Sequence, residues 1–311
     1  MSKAICSVSV LMAGFAVGCG DKFESGEGYE MSDVENEGES LDGAGDDSSS
    51  PGDDNGDDDD SDGQGSDQGG NADADGDADD VVPVDERTFA KKLVVSMMMP
   101  GVFNPDNLDE TRTTSLLLVD WVRNGTEVTW TEELCDISAT EAHGNQTSFP
   151  NAFVATMPIR EHAGELSAAE VGASFSTDSF INVDGADLDN PGAESLPTSS
   201  GDSRVWDQDS DGEPGITVRI DAGWPATGDI YLVQRSEFAY EGLVVAQDRV
   251  EVYVDYAQEQ SILGSSNPVL TMADVVPVPN PDPTTSYAIF QQIDEGSDCG
   301  DIKRDRSTLF D

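Results

Sequence analysis

From Val81 onward the chain runs in short apolar stretches of period two, broken by Gly, Pro, Asn and Asp. Side chains of a strand alternate between its two faces, so this rhythm predicts half-buried strands joined by turns, and no long stripe of helical period competes with it. The stretches predict strands over 91–98, 113–123, 126–136, 152–157, 216–220, 229–235, 241–246, 249–257 and 286–292. Their spacing predicts an all-β fold, a single antiparallel β-barrel or β-sandwich of about 8–10 strands. The strongest local signal is Asn124-Gly125, a pair favoured in the two-residue type I′ hairpin turn. With Arg123 opposite Thr126, Trp121 falls opposite Val128 and Val119 opposite Trp130. These share a face with Leu117 and Leu134, while Glu127, Thr129, Thr131 and Glu133 point away. That face is expected to be core, tryptophans included. Further on, Val250, Val252, Val254 and Tyr256 alternate with Glu251, Tyr253 and Asp255, which places Tyr253 on a wet face; Ile216, Val218 and Ile220 alternate with Thr217 and Arg219.

Three segments depart from the pattern. Residues 178–215 are rich in Asp, Gly, Ser and Pro and read as a long acidic loop inserted in the β-rich domain. Residues 21–80 hold 24 acidic residues against one Lys and almost no aliphatic side chain. Such a stretch cannot bury enough apolar surface to offset chain entropy and reads as a disordered, self-repelling tether, up to about 200 Å long if fully extended. Its alternating Asp73, Asp75, Asp77 and Asp79 are expected to collect cations diffusely. At the start, Lys3, an apolar run over 4–17 and a small-residue end have the layout of an export signal, too short to span a bilayer comfortably. The organisation expected is therefore a signal peptide over 1–18, Cys19 with an acidic linker over 19–85, and one β-rich domain over 86–311.

Charge narrows the partners. The 64 acidic and 15 basic residues give a net charge of −49, which excludes a nucleic-acid partner and repels anions. Only His143 and His162 are available, so a histidine-rich zinc or iron site is not expected, and both are assigned to surface loops. The basic cluster Lys303-Arg304-Asp305-Arg306 is expected to form internal salt bridges.

The stretch Ala16-Val17-Gly18-Cys19 resembles the lipobox of bacterial lipoproteins. The resemblance implies that Cys19 is acylated and becomes the first mature residue, with the lipid bilayer as partner and the cell envelope, at the outer membrane or cell surface, as location. Ala16 stands where that motif usually has Leu, so a plain signal-peptidase cut after Gly18 and a freely secreted protein form the alternative. Once Cys6 leaves with the signal and Cys19 carries lipid, Cys135 and Cys299 remain, and one disulfide in an oxidising compartment is expected.

Within the acidic loop lies Asp207-Gln208-Asp209-Ser210-Asp211-Gly212-Glu213. Alternating carboxylates followed by Gly match the first half of an EF-hand loop, where the seventh residue contributes its carbonyl. Val218 occupies the position of the closing bidentate Glu and Pro214 the eighth, so the segment is not an EF-hand. It resembles the calcium loops of thrombospondin type 3 repeats. Calcium is the expected cofactor, with Asp207, Asp209, Asp211 and Glu213 as ligands. Asp184, Asp187, Asp189, Asp202 and Asp221 are further candidates to complete the six or more oxygens calcium needs.

No nucleophile elbow, P-loop, zincin motif or dinucleotide fingerprint is present, and no catalytic residue is assigned. As a whole the chain resembles predicted surface lipoproteins of Gram-negative bacteria that carry no assigned activity. The function expected is an exported, membrane-anchored lipoprotein that presents a calcium-stabilised β-domain to a carbohydrate, a protein or a small apolar ligand. A purely structural envelope protein and a secreted hydrolase using paired carboxylates are the alternatives.

Overall fold

The computed structural model describes residues 84–100, 106–271 and 277–311. The expected signal peptide over 1–18, Cys19 and nearly all of the acidic linker over 19–85 lie outside the described residues. The domain is built from twelve strands: β1 (Asp85–Pro100), β2 (Leu108–Asn124), β3 (Glu127–Ala139), β4 (Gln146–Ser148), β5 (Arg160–Leu166), β6 (Ser174–Ser176), β7 (Phe180–Asp184), β8 (Ile216–Asp221), β9 (Thr227–Ala246), β10 (Arg249–Ser265), β11 (Val278–Pro279) and β12 (Tyr287–Gln292). Two helices accompany them, α1 (Asn151–Thr156) and α2 (Cys299–Leu309).

Antiparallel pairing runs β10–β12–β1–β2–β3–β5–β6–β9 and returns from β9 to β10. Eight strands thus close into a ring, a barrel-like arrangement within the expected all-β class, with only two residue pairs joining β5 to β6. The 20-residue β9 meets β10 along one side and β8, β7 and β6 in succession along the other. The predicted strands 229–235 and 241–246 are therefore one element, and the predicted loop over 178–215 contains a strand, β7.

The hairpin forms, two residues out of the expected register: Asn124 pairs with Glu127 and Trp121 with Trp130. Its turn is Gly125-Thr126, with Gly125 at φ +66° and Thr126 outside the left-handed region. A type I′ turn needs positive φ at both central residues, which a β-branched Thr resists, whereas type II′ needs it only at the first. A slip of two keeps every side chain on its face, so Leu117, Val119, Trp121, Val128 and Trp130 are all buried as expected.

The predicted strand over 152–157 is α1 instead. Pro150 opens it with φ −58°, Phe153 is buried, and Phe153 and Met157 stand four residues apart on the inward face. Helix α2 lies outside the ring against β2 and β3, where Ile302 and Phe310 join Ala90, Leu116 and Ile289 in a small core. Its start is a capping box: Asp298 accepts from the Gly300 and Asp301 N–H groups while Asp301 accepts from the Asp298 N–H. The Cys135–Cys299 disulfide ties this helix to β3 across a sequence separation of 164 residues. Arg304 pairs with Asp301 and Asp305, and Arg306 lies 3.9 Å from Asp136, so the two arginines of the basic cluster pair internally as expected.

Candidate metal centre and barrel cavity

Inside the ring, the first half of the core is aromatic. Trp121 stacks on Trp130 at 5.8 Å between centroids, with Phe89, Phe175 and Phe290 within 5.6 Å of Trp121. Into this apolar volume the barrel points two opposite charges. Lys91 is fully buried and donates to Glu132 Oε2 at 2.6 Å and to the Tyr240 hydroxyl at 2.9 Å. Trp130 Nε1 donates weakly to the same carboxylate, and His162 Nε2 lies 3.1 Å from Glu132 Oε1, bent away from good hydrogen-bond geometry. Burial alone would lower the Lys91 ammonium, but the Glu132 charge and the Tyr240 hydroxyl outweigh it and hold it above 10.5. Burial would likewise raise Glu132, and the charge of Lys91 with the adjacent His162 brings it below the ordinary carboxylate range. Tyr240 is pushed up to about 12 by burial. The group is an ionised pair under a neutral phenol. His162 is thus not on a surface loop: β5 carries it inward, with its ring tilted against Phe180 at 4.3 Å between centroids.

Beyond this cluster lies a partly open cavity of about 150 Å³. One wall is apolar, from Leu93, Val95, Leu117, Leu134, Phe153 and Met157. The other is a polar ladder on β9 and β10. Gln234 Nε2 donates to Ser236 Oγ at 3.0 Å, Ser236 Oγ lies 3.5 Å from the Tyr256 hydroxyl, and that hydroxyl donates to Gln258 Oε1. The cavity also touches Arg160 and Asp184, which form a 2.5 Å ion pair.

The acidic loop leads into β8. Its base is closed by Gln208 N–H donating to the Gly215 carbonyl and Gly215 N–H donating to the Trp206 carbonyl. Gly215 sits at φ +87°, and a Cβ there would come 2.2 Å from the Leu232 carbonyl oxygen, so no other residue fits the closure. Above this base Asp207, Asp209 and Asp211 converge, each offering a carboxylate oxygen, all within 4.8 Å of one another. Asp207 accepts from the N–H groups of Asp211 and Gly212, and Asp211 from Glu213 N–H and the Thr217 hydroxyl. Asp209 is only 3 % exposed; its Oδ2 accepts from Thr217 N–H and its Oδ1 has no hydrogen-bond partner. Burial pushes the Asp209 carboxyl up, and the charges of Asp211 and Asp207 add to this against the Thr217 hydrogen bond. A group of oxygens held this way could take a hard metal ion.

Glu213, expected to contribute its backbone carbonyl, belongs to the same loop, with its side chain exposed and outside the converging group, and the other expected ligands lie elsewhere. Asp184 holds Arg160 and accepts from Gln208 Nε2. Asp202 clasps Arg204, and Asp221 accepts from Gly223 N–H and the Thr227 hydroxyl. Asp187 and Asp189 are exposed and also outside the group. Sequence reasoning missed Lys91, Glu132 and the β9–β10 ladder. Strand parity carried the signal for the pair, because Glu132 alternates in phase with Trp130 and Leu134, and Lys91 with Phe89 and Leu93.

Gln208 joins the two sites. It is buried between two loop carboxylates, its Oε1 accepts from Gly185 N–H at 2.7 Å, and its Nε2 reaches Met157 Sδ and Asp184, both on the cavity wall. No helix among the described residues is long and apolar enough to cross a membrane. Compared with known proteins, the chain matches no family model, no curated protein and no solved structure.

Proposed function

We propose that the protein is an exported, lipid-anchored binding protein whose β-barrel is stabilised by calcium at Asp207, Asp209 and Asp211. The observation that carries the calcium reading is Asp209 Oδ1, a buried carboxylate oxygen without a partner between two further carboxylates. A deprotonated oxygen so placed is costly unless a cation meets it. Calcium suits the site because its ligands are all oxygens on a flexible loop, and the missing ligands of the six or more can be backbone carbonyls and water. Gln208 gives the ion a consequence, since ordering the loop fixes a side chain that braces the cavity wall. The anchor reading rests on the lipobox-like Ala16-Val17-Gly18-Cys19 and agrees with a disulfide-bonded domain, as oxidising compartments permit. The hydrolase reading has less support, because the two carboxylates on the cavity, Glu132 and Asp184, are each held by a cation.

Two measurements test the proposal. Calorimetric titration of the metal-stripped full chain with calcium should show one saturable site above the diffuse background of the acidic segment, and Asp209→Asn should remove that site alone; an unchanged isotherm contradicts the calcium reading. Palmitate labelling in a Gram-negative host should depend on Cys19, and labelling that survives Cys19→Ser contradicts the anchor.

A further inference from the structure

We infer that the barrel cavity is a binding site for a small neutral molecule with an apolar body and one hydrogen-bond acceptor, anchored by the side-chain amide of Gln258. This names the ligand class of the binding barrel proposed above and rests on that reading only for the barrel's role, not for calcium.

Size comes first. A cavity of about 150 Å³ is comparable to engineered cavities that take benzene and is below the range of sites for drug-sized ligands. The part of the occupant held inside therefore has roughly six to eight non-hydrogen atoms.

Charge comes next. Glu132 is matched by Lys91, and Asp184 by Arg160. No unpaired charge faces the space from these pairs, and an ion entering it would lose its hydration without a counter-ion. The ligand is neutral.

Polarity and direction follow from the ladder on β9 and β10. Gln234 donates to Ser236, Ser236 meets Tyr256, and Tyr256 donates to Gln258 Oε1. With the Ser236 hydroxyl donating to Tyr256, every donor in the row points the same way, and the row ends at Gln258. Gln258 is 6 % exposed, lines the cavity, and its Nε2 has no hydrogen-bond partner. A buried amide donor left unmet is costly, and a ligand carbonyl, ether or hydroxyl oxygen would satisfy it. Opposite stand Leu93, Val95, Leu117 and Leu134, which suit an apolar ring.

The test uses the oxidised full chain with methyl-labelled Leu, Val and Ile, titrated separately with cyclohexanone, cyclohexane, cyclohexanecarboxylate and cyclohexylammonium, each in EDTA and in calcium. Cyclohexanone should give saturable shifts centred on the methyls of Leu93, Val95, Leu117 and Leu134, and the two ions should give none. Gln258→Leu should weaken cyclohexanone about three- to tenfold while leaving cyclohexane unweakened. Ser115→Phe, which fills the space from a lining position, should abolish binding of both and serves where Gln258→Leu does not fold. The inference is overturned if cyclohexanone leaves those methyls unmoved, which would mean that the cavity holds only water. It is overturned equally if the ions bind as well as the ketone, or if Gln258→Leu affects ketone and hydrocarbon alike. Absence of a calcium site leaves these outcomes readable in EDTA, so the two readings fail separately.

Discussion

The interior around Trp121 and Trp130 and the interior around Gln258 belong to one ring of strands, yet they treat polar groups oppositely. In the first, a lysine and a glutamate are buried among five aromatic rings, the lysine spends its charge on Glu132 and Tyr240, and the buried atom that lacks a hydrogen bond, His162 Nε2, still lies 3.1 Å from the Glu132 carboxylate. In the second, and in the loop braced against it, donors and acceptors stop short: Gln258 Nε2 and Asp209 Oδ1 are buried with nothing to meet them. A polar group satisfied inside the fold adds to its definition, and one left open marks a place where something from outside completes it. The same alternation of strands thus supplies one interior whose charges are paired and another with polar atoms left open.

The sharpest way to break this contrast is to mutate one polar group from each interior and compare urea unfolding of the oxidised full chain. Lys91→Met leaves Glu132 buried without its cation and should cost about 3–5 kcal/mol, while adding Glu132→Leu should recover much of the loss. Gln258→Leu should cost about 1–2 kcal/mol, because it removes an unmet donor while leaving the Tyr256 hydroxyl without its acceptor. Equal losses at the two positions would erase the distinction.

Next in size is the staple between the ring and its outer helix. Cys135→Ser with Cys299→Ser should cost about 2–5 kcal/mol, with α2 losing hydrogen-exchange protection before the barrel strands do. Simultaneous loss throughout would show that the helix and ring are one cooperative unit.

Alkali should also single out the interior with paired charges. Tyr240 moves from 10.0 to about 12 on folding and Lys91 is held above 10.5, so the folded state retains protons that the unfolded chain releases. Stability is then fully present below about pH 10 and declines as pH rises toward 12. In Tyr240→Phe this decline should be shallower, as followed by tryptophan fluorescence. A small effect is also expected at the hairpin: Gly125→Ala places a side chain at φ +66° with no atom within 4 Å of the new Cβ, so backbone strain alone costs about 1–2 kcal/mol per residue in the left-handed region.

Much of the ring could be read from alternation. The β2–β3 hairpin, β8 and β10 each announce their buried face in period two, and Asn124-Gly125 located the first turn to within one residue although Thr126 changed its type. Other parts could not be read this way. β4 and β6 are three residues long, too short for a period to appear. The run in α1 is apolar enough for either a strand or a helix, and Pro150 was the better guide. For α2 the signal was Asp298 and Asp301, a capping box that apolar periodicity overlooks. In the acidic loop, spacing brought out Asp207, Asp209 and Asp211. Which other carboxylates join them depended on tertiary neighbours, since Arg160 and Arg204 hold Asp184 and Asp202. Gln258 carries no motif at all; only closure of the barrel and the chain of bonds from Gln234 single it out.

That Asp209 awaits a cation can be put to the test by thermal unfolding of the oxidised full chain in EDTA and in millimolar calcium. Binding to the native state alone should add about 1–3 kcal/mol at calcium concentrations tens of times the dissociation constant and raise the midpoint accordingly. The rise should vanish in Asp209→Asn/Asp211→Asn and persist when Asp73, Asp75, Asp77 and Asp79 are replaced by Asn. A midpoint that calcium leaves unmoved, or one that moves equally in the Asp209→Asn/Asp211→Asn protein, would contradict it.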